Sequence, residues 1–230
     1  MRRLSLFLMM GVLVLLPWAG NTADLEEGGY AGTTDEGHDE VVYNFIKHFS
    51  YQQYFYARTF QFASSNNSRV DAMDFAVFGG HGNRWFISTT DGGVDLSTFG
   101  SGSNQGWGDT DVEFVAFESC YVVPSPLEVA DWWSNWVSES DDAFDGVHQV
   151  LSFRTLSWQS TDEDVTDYFG SRIRNNHAVW QSWFDAINEE ADSDEMGAAV
   201  MHPSTQNDTY ASFVADPPAN STSLRLWYQH

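Results

Sequence analysis

One cysteine stands in the whole chain, at position 120, so no disulfide can close within it. A lone cysteine in an exported protein reads as a free reactive thiol or an intermolecular bridge, and elsewhere as a buried structural residue. Lysine is as scarce: Lys47 is the only one, and lysine and arginine together number 10 against 33 aspartates and glutamates, a net charge of −23. With no basic patch to meet phosphates, nucleic-acid binding is disfavoured. The sequence also lacks a glycine-rich phosphate loop opening a helix, a serine nucleophile elbow and an internal repeat. Past the first 18 residues it has no apolar run long enough for a bilayer. No compact metal motif occurs. Cys120, His81 and His148 lack a fourth ligand for zinc, and the acidic stretches 91–95 and 109–111 lack the ligand spacing of a calcium loop. Neither metal nor cofactor is expected.

What is present begins with a targeting pattern. Met1-Arg2-Arg3 gives a positive start, Leu4 to Trp18 is apolar apart from Ser5, and small residues follow up to Ala23. Residues 1–23 therefore read as a secretory signal peptide rather than a retained anchor, and the mature chain is expected to be secreted without stable membrane insertion. Residues 24–38 read as an acidic, glycine-rich linker, with no apolar strand before Asp39. Residues 39–230 are long enough for one domain with a good core, and 16% aromatic residues argue against disorder.

The acids are scattered, Glu26, Asp141, Asp162, Glu163, Asp164 and Glu189 among them, and read as a solvated surface like that of halophilic proteins. The expected result is a higher melting temperature in molar chloride than in dilute buffer, because salt shortens the Debye length to about 3 Å at 1 M. A flat or falling melt series would instead favour an acidic surface that serves a cationic substrate or partner.

Asp39 to Phe49, Pro126 to Val137, Asp164 to Arg174 and Ala178 to Glu189 carry apolar residues at helical spacing. Apolar runs at 73–78, 112–117, 146–153 and 197–201 read as strands. Strands alternating with helices imply a single α/β domain with a mostly parallel sheet flanked by helices. Two of the strands end in chemistry. Met73-Asp74-Phe75-Ala76-Val77-Phe78 runs into Gly79-Gly80-His81-Gly82, and Val112-Glu113-Phe114-Val115-Ala116-Phe117 runs into Glu118-Ser119-Cys120. Open α/β sheets place their ligand crevices at the carboxyl ends of strands, and a thiol needs a nearby base to become a useful nucleophile.

That pair of motifs resembles the caspase-like cysteine peptidases, the group of caspases, legumains, gingipains and separases. In these, one apolar strand ends in His-Gly, and a later one ends in an acidic or amide residue, a small residue and Cys. The resemblance covers roughly residues 40–202 and points to an exported branch of the group. It implies the caspase–haemoglobinase architecture and the element order His strand, Cys strand, helix, strand, helices, strand. It implies a cysteine endopeptidase acting on a peptide or protein substrate, with His81 and Cys120 as the catalytic dyad. The backbone N–H groups of Gly82 and Cys120 would form the oxyanion hole, with Glu118 shaping the pocket. Two departures stand out. The group usually opens with a strand before its first helix, and a Gly- or Ser-rich turn commonly follows the cysteine, where this chain has Tyr121-Val122-Val123-Pro124-Ser125-Pro126.

His148, on a core strand, and Arg154, just past it, are further candidates for the substrate cleft. Each also has a plainer reading: a hydrogen-bonded structural histidine, and an arginine paired with a local carboxylate. The alternative for the whole chain is a non-catalytic binding or structural module on the same fold.

Overall fold

The computed structural model describes residues 26–33, 37–96, 106–123, 143–218 and 223–230. Five strands form a parallel array: β1 (Glu27–Ala31), β2 (Gln52–Tyr56), β3 (Phe75–Gly79), β6 (Phe114–Glu118) and β7 (Gln149–Phe153). Two antiparallel strands extend it, β8 (Gly197–Met201) and β9 (Arg225–Tyr228), giving the order β2-β1-β3-β6-β7-β8-β9. A separate hairpin, β4 (Phe86–Thr89) with β5 (Gly92–Asp95), follows the His81 turn. The longer helices are α1 (His38–Ile46), α3 (Gln159–Arg174) and α4 (Val179–Glu190), and α2 (Thr59–Phe62) is a single turn.

The alternation of side chains along each strand divides the core into two layers. Phe75, Val77, Phe114 and Ala116 face α1, α3 and α4, where they join Phe45, Phe169 and Trp183. Ala76, Phe78, Val115 and Phe117 face the opposite way and pack with Tyr30, Phe62 and Trp107. Burying one such ring contributes about 1.5–3 kcal/mol, and the strands are covered on both sides, as parallel sheets require.

The segment 24–38, read as a linker, carries β1, which lies between β2 and β3. Its sequence, Glu-Gly-Gly-Tyr-Ala, has no apolar pattern because α1 packs directly on its backbone. A Cβ on Gly29 would sit 3.2 Å from Ile46 Cδ1 and 3.3 Å from Val42 Cβ. Tyr30 supplies the buried ring on the other face. Residues 51–62 contribute β2 and α2, and the far edge of the sheet is β9. The helix expected at 126–137 lies outside the described residues. Among the described residues no helix is long and apolar enough to cross a membrane.

Candidate active site

The register of β3 on β6 sets the site. Gly79 is the partner of Glu118, and Gly80 N–H donates to Glu118 O at 3.1 Å. His81 and Cys120 each follow this matched pair by two residues, on strands about 4.8 Å apart. Both therefore emerge at the same carboxyl edge of the sheet. His81 is exposed and Cys120 is half-buried.

The two turns are pressed together at Gly82. A Cβ there would lie 2.2 Å from Ser119 Oγ and 2.9 Å from Val122 Cγ2, so only glycine lets the His81 turn close on the Cys120 turn. Gly82 also forms an antiparallel bridge with Ile87 in which the hydrogen bonds are made by its neighbours: Ser88 N–H to His81 O (2.8 Å) and Asn83 N–H to Phe86 O (2.8 Å). In such a pair the residue's own N–H points away from the partner strand. On the other turn, Ser152 Oγ fixes the end of β6 by donating towards Phe117 O (2.9 Å) and Ser119 O (3.1 Å).

Cys120 Sγ accepts a hydrogen bond from Ser157 N–H at 3.4 Å, and Ser157 O lies 3.7 Å away. The next residue, Tyr121, is left-handed (φ 58°), and its N–H is tied to Thr155 O at 2.9 Å. A bulky non-glycine residue in that conformation is uncommon, and such strain clusters at functional sites. His81 is backed by His38, whose ring meets it edge-on at 5.1 Å and whose Nδ1 lies 3.0 Å from Thr33 Oγ1.

Beneath the two turns is a pair of buried carboxyl groups. Glu118 is 1% exposed, and its side chain hydrogen-bonds that of Asp162, 4% exposed, in the first turn of α3. Burial, reinforced by the charge of Asp162, holds Glu118 well above the usual carboxylate range. Burial likewise pushes Asp162 up to about 6, opposed by the hydrogen bond from Glu118 and by the charge of His81. Their hydrogen bond raises Glu118 and lowers Asp162, so Glu118 donates and Asp162 accepts. The sequence pattern places Asp162 among the solvated surface acids, whereas the structure buries it. Its burial follows from α3 starting at Gln159 rather than Asp164, which aligns Asp162, Val165, Thr166, Phe169 and Ile173 on the core face. Extending that helical spacing back one turn would have found it.

Both carboxyls bind their protons more tightly in the folded chain. The stability this gives is present below the ordinary carboxyl range and is lost as pH rises, through about 6 for Asp162 and higher for Glu118. In Glu118→Gln an amide still donates to Asp162 but has no proton to lose. The fall in urea midpoint between about pH 5 and pH 8 is therefore expected to shrink. An unchanged pH slope would contradict the shared-proton pair.

Two expected cleft residues lie elsewhere. His148 precedes β7 at the amino edge, the opposite end of the sheet, where its N–H and O flank Glu113 and His202. It is fully buried, with Nδ1 2.7 Å from Asp208 Oδ2. This is the hydrogen-bonded structural histidine of the plainer reading. Arg154 does reach the carboxyl edge, but its guanidinium turns along the sheet to Gln229 O (2.6 Å), Met196 Sδ (3.1 Å) and the Tyr228 ring. It holds β9 rather than facing Cys120. Asp91, weighed for calcium, instead accepts from Thr59 N–H (2.9 Å) and Thr89 Oγ1 (3.1 Å), anchoring the start of α2. Among the described residues no group of three or more His, Cys, Asp or Glu side chains is placed to hold a metal ion.

Fold and site together define a single α/β domain with a thiol and an imidazole at neighbouring strand ends of a mostly parallel sheet. The chain belongs to the family described as a domain of unknown function, DUF6345, which it matches over residues 19–229. Comparison with curated protein sequences finds no match.

Proposed function

We propose that this protein is an exported cysteine endopeptidase of caspase-like architecture. The observation that carries the reading is the β3–β6 register, which delivers His81 and Cys120 to adjacent positions on one sheet edge. Two further features support it. A strand precedes the first helix, as the group's pattern asks, and among the described residues the His strand and Cys strand are followed by a strand, two helices and a strand, the helix expected directly after the Cys strand lying outside the described residues.

The chemistry follows from the placement. Cys120 Sγ attacks the scissile carbonyl carbon, and its proton passes to His81. The oxyanion is met by the N–H groups of Gly82 and Cys120. As the C–N bond breaks, His81 protonates the leaving amine, and a thioester remains on Cys120. Water then attacks the thioester, giving up a proton to His81 and releasing the carboxylic acid and the thiol. This sequence needs no cofactor.

A peptide-library cleavage screen on the mature protein, at low and high salt with fragments read by mass spectrometry, tests the proposal. Cleavage lost in Cys120→Ala supports it. Absence of cleavage at every salt concentration would leave the fold serving as a binding module.

A further inference from the structure

The turn that carries His81 continues into a pocket. Asn83, Arg84, Trp85 and Phe86 on one side and Tyr121 on the other line an open cleft of about 230 Å³ with almost entirely apolar walls. Its position is set by the site itself, since Asn83 is two residues past His81 and Tyr121 directly follows Cys120. The cleft is held in shape. Asn83 Oδ1 accepts from Trp85 N–H (2.8 Å) and Phe86 N–H (3.1 Å), and Trp85 O accepts from Leu96 N–H (2.7 Å). The left-handed backbone of Tyr121 aims its ring at the Arg84 side chain, whose guanidinium lies 5.7 Å from the ring centroid.

We propose that this cleft is the specificity pocket and receives one large apolar side chain, aromatic or leucine-like, of a peptide whose neighbouring carbonyl is presented to Cys120. The proposal rests on the peptidase reading. The volume is below the roughly 300–1,000 Å³ of pockets that take a whole drug-sized ligand, so it fits a single side chain. Three aromatic rings offer such a side chain stacking and edge contacts. A cationic side chain would meet the Arg84 guanidinium. An acidic one would have to shed water against the ring walls, a cost that one partly exposed guanidinium only partly offsets.

The test uses N-acetyl dipeptide aldehydes that differ only in the terminal side chain: Phe, Leu, Asp, Asn or Arg. Each competes with iodoacetamide for Cys120. The aldehyde carbon bonds to Sγ, its oxygen takes the thiol proton, and the resulting thiohemiacetal blocks alkylation. Phe and Leu aldehydes are expected to protect at concentrations at least about tenfold lower than Asp, Asn or Arg aldehydes. Phe86 is 43% exposed, so Phe86→Ala should fold. In that variant the preference is expected to fall towards unity. Equal protection by all five, or best protection by Asp that disappears in Arg84→Ala, would overturn the proposal. Failure of the peptidase reading would look different: no cleavage in the library screen, with protection still ordered by apolar size.

Discussion

Cys120→Ala is expected to stop peptide-bond hydrolysis, with a fall of at least about 10³-fold, while leaving the fold in place. The argument for the rate is that no other cysteine exists to substitute. The argument for the fold is local. Cys120 is half-buried, and its hydrogen bonds are the long ones typical of sulfur, 3.4 Å from Ser157 N and 3.7 Å to Ser157 O. Removing the sulfur leaves Tyr121 N–H tied to Thr155 O and the end of β6 tied by Ser152. Circular dichroism melts of the two proteins should therefore overlay. A variant that still cleaves at the original rate would remove the nucleophile assignment, and one that fails to fold would give Cys120 a structural role instead.

Gly82→Ala should be nearly as damaging to catalysis by a different route. The added methyl cannot occupy its ideal position 2.2 Å from Ser119 Oγ, so the His81 turn must lift from the Cys120 turn. Displacement of a reacting group by about 1 Å costs on the order of 10²-fold in rate, and here both the imidazole and the Gly82 N–H move. A second substitution separates this account from general damage. Ser119→Gly in the Gly82→Ala background removes both the Oγ and the Cβ that the methyl meets. Part of the lost rate should return, even though Ser119→Gly alone gains nothing. A Gly82→Ala protein with unaltered turnover would mean that the two turns need not touch during catalysis.

Much of this arrangement is legible in the sequence because its strands are buried on both faces. The runs before His81 and Cys120 are continuous apolar segments bounded by Gly or Ser, and the pairing of their ends follows once both lie in one parallel sheet. What was not legible depends on contacts made at a distance. β1 hides in two glycines because the helix that covers it supplies the apolar atoms. Asp162 looks like any other acid of a −23 chain, and only Glu118 arriving from another strand makes it an interior group. His148 carries the same residue type as His81 two strands along the sheet, but it enters β7 at the amino end, so the parallel register sends it to the opposite edge. Arg154 is on the correct edge, and its direction is decided by the C-terminal strand β9, whose place beside β8 no local pattern announces.

The most direct test of the central claim is the rate of Cys120 alkylation by iodoacetamide as a function of pH, in the unaltered protein and in His81→Ala. The lone cysteine makes the readout unambiguous, since every label reports position 120. If His81 and Cys120 form a functional pair, the unaltered protein reacts faster near neutral pH and its profile carries an inflection that His81→Ala lacks. Superimposable profiles for the two proteins would show that the imidazole and the thiol do not communicate, and the reading of this strand edge as a catalytic dyad would be wrong.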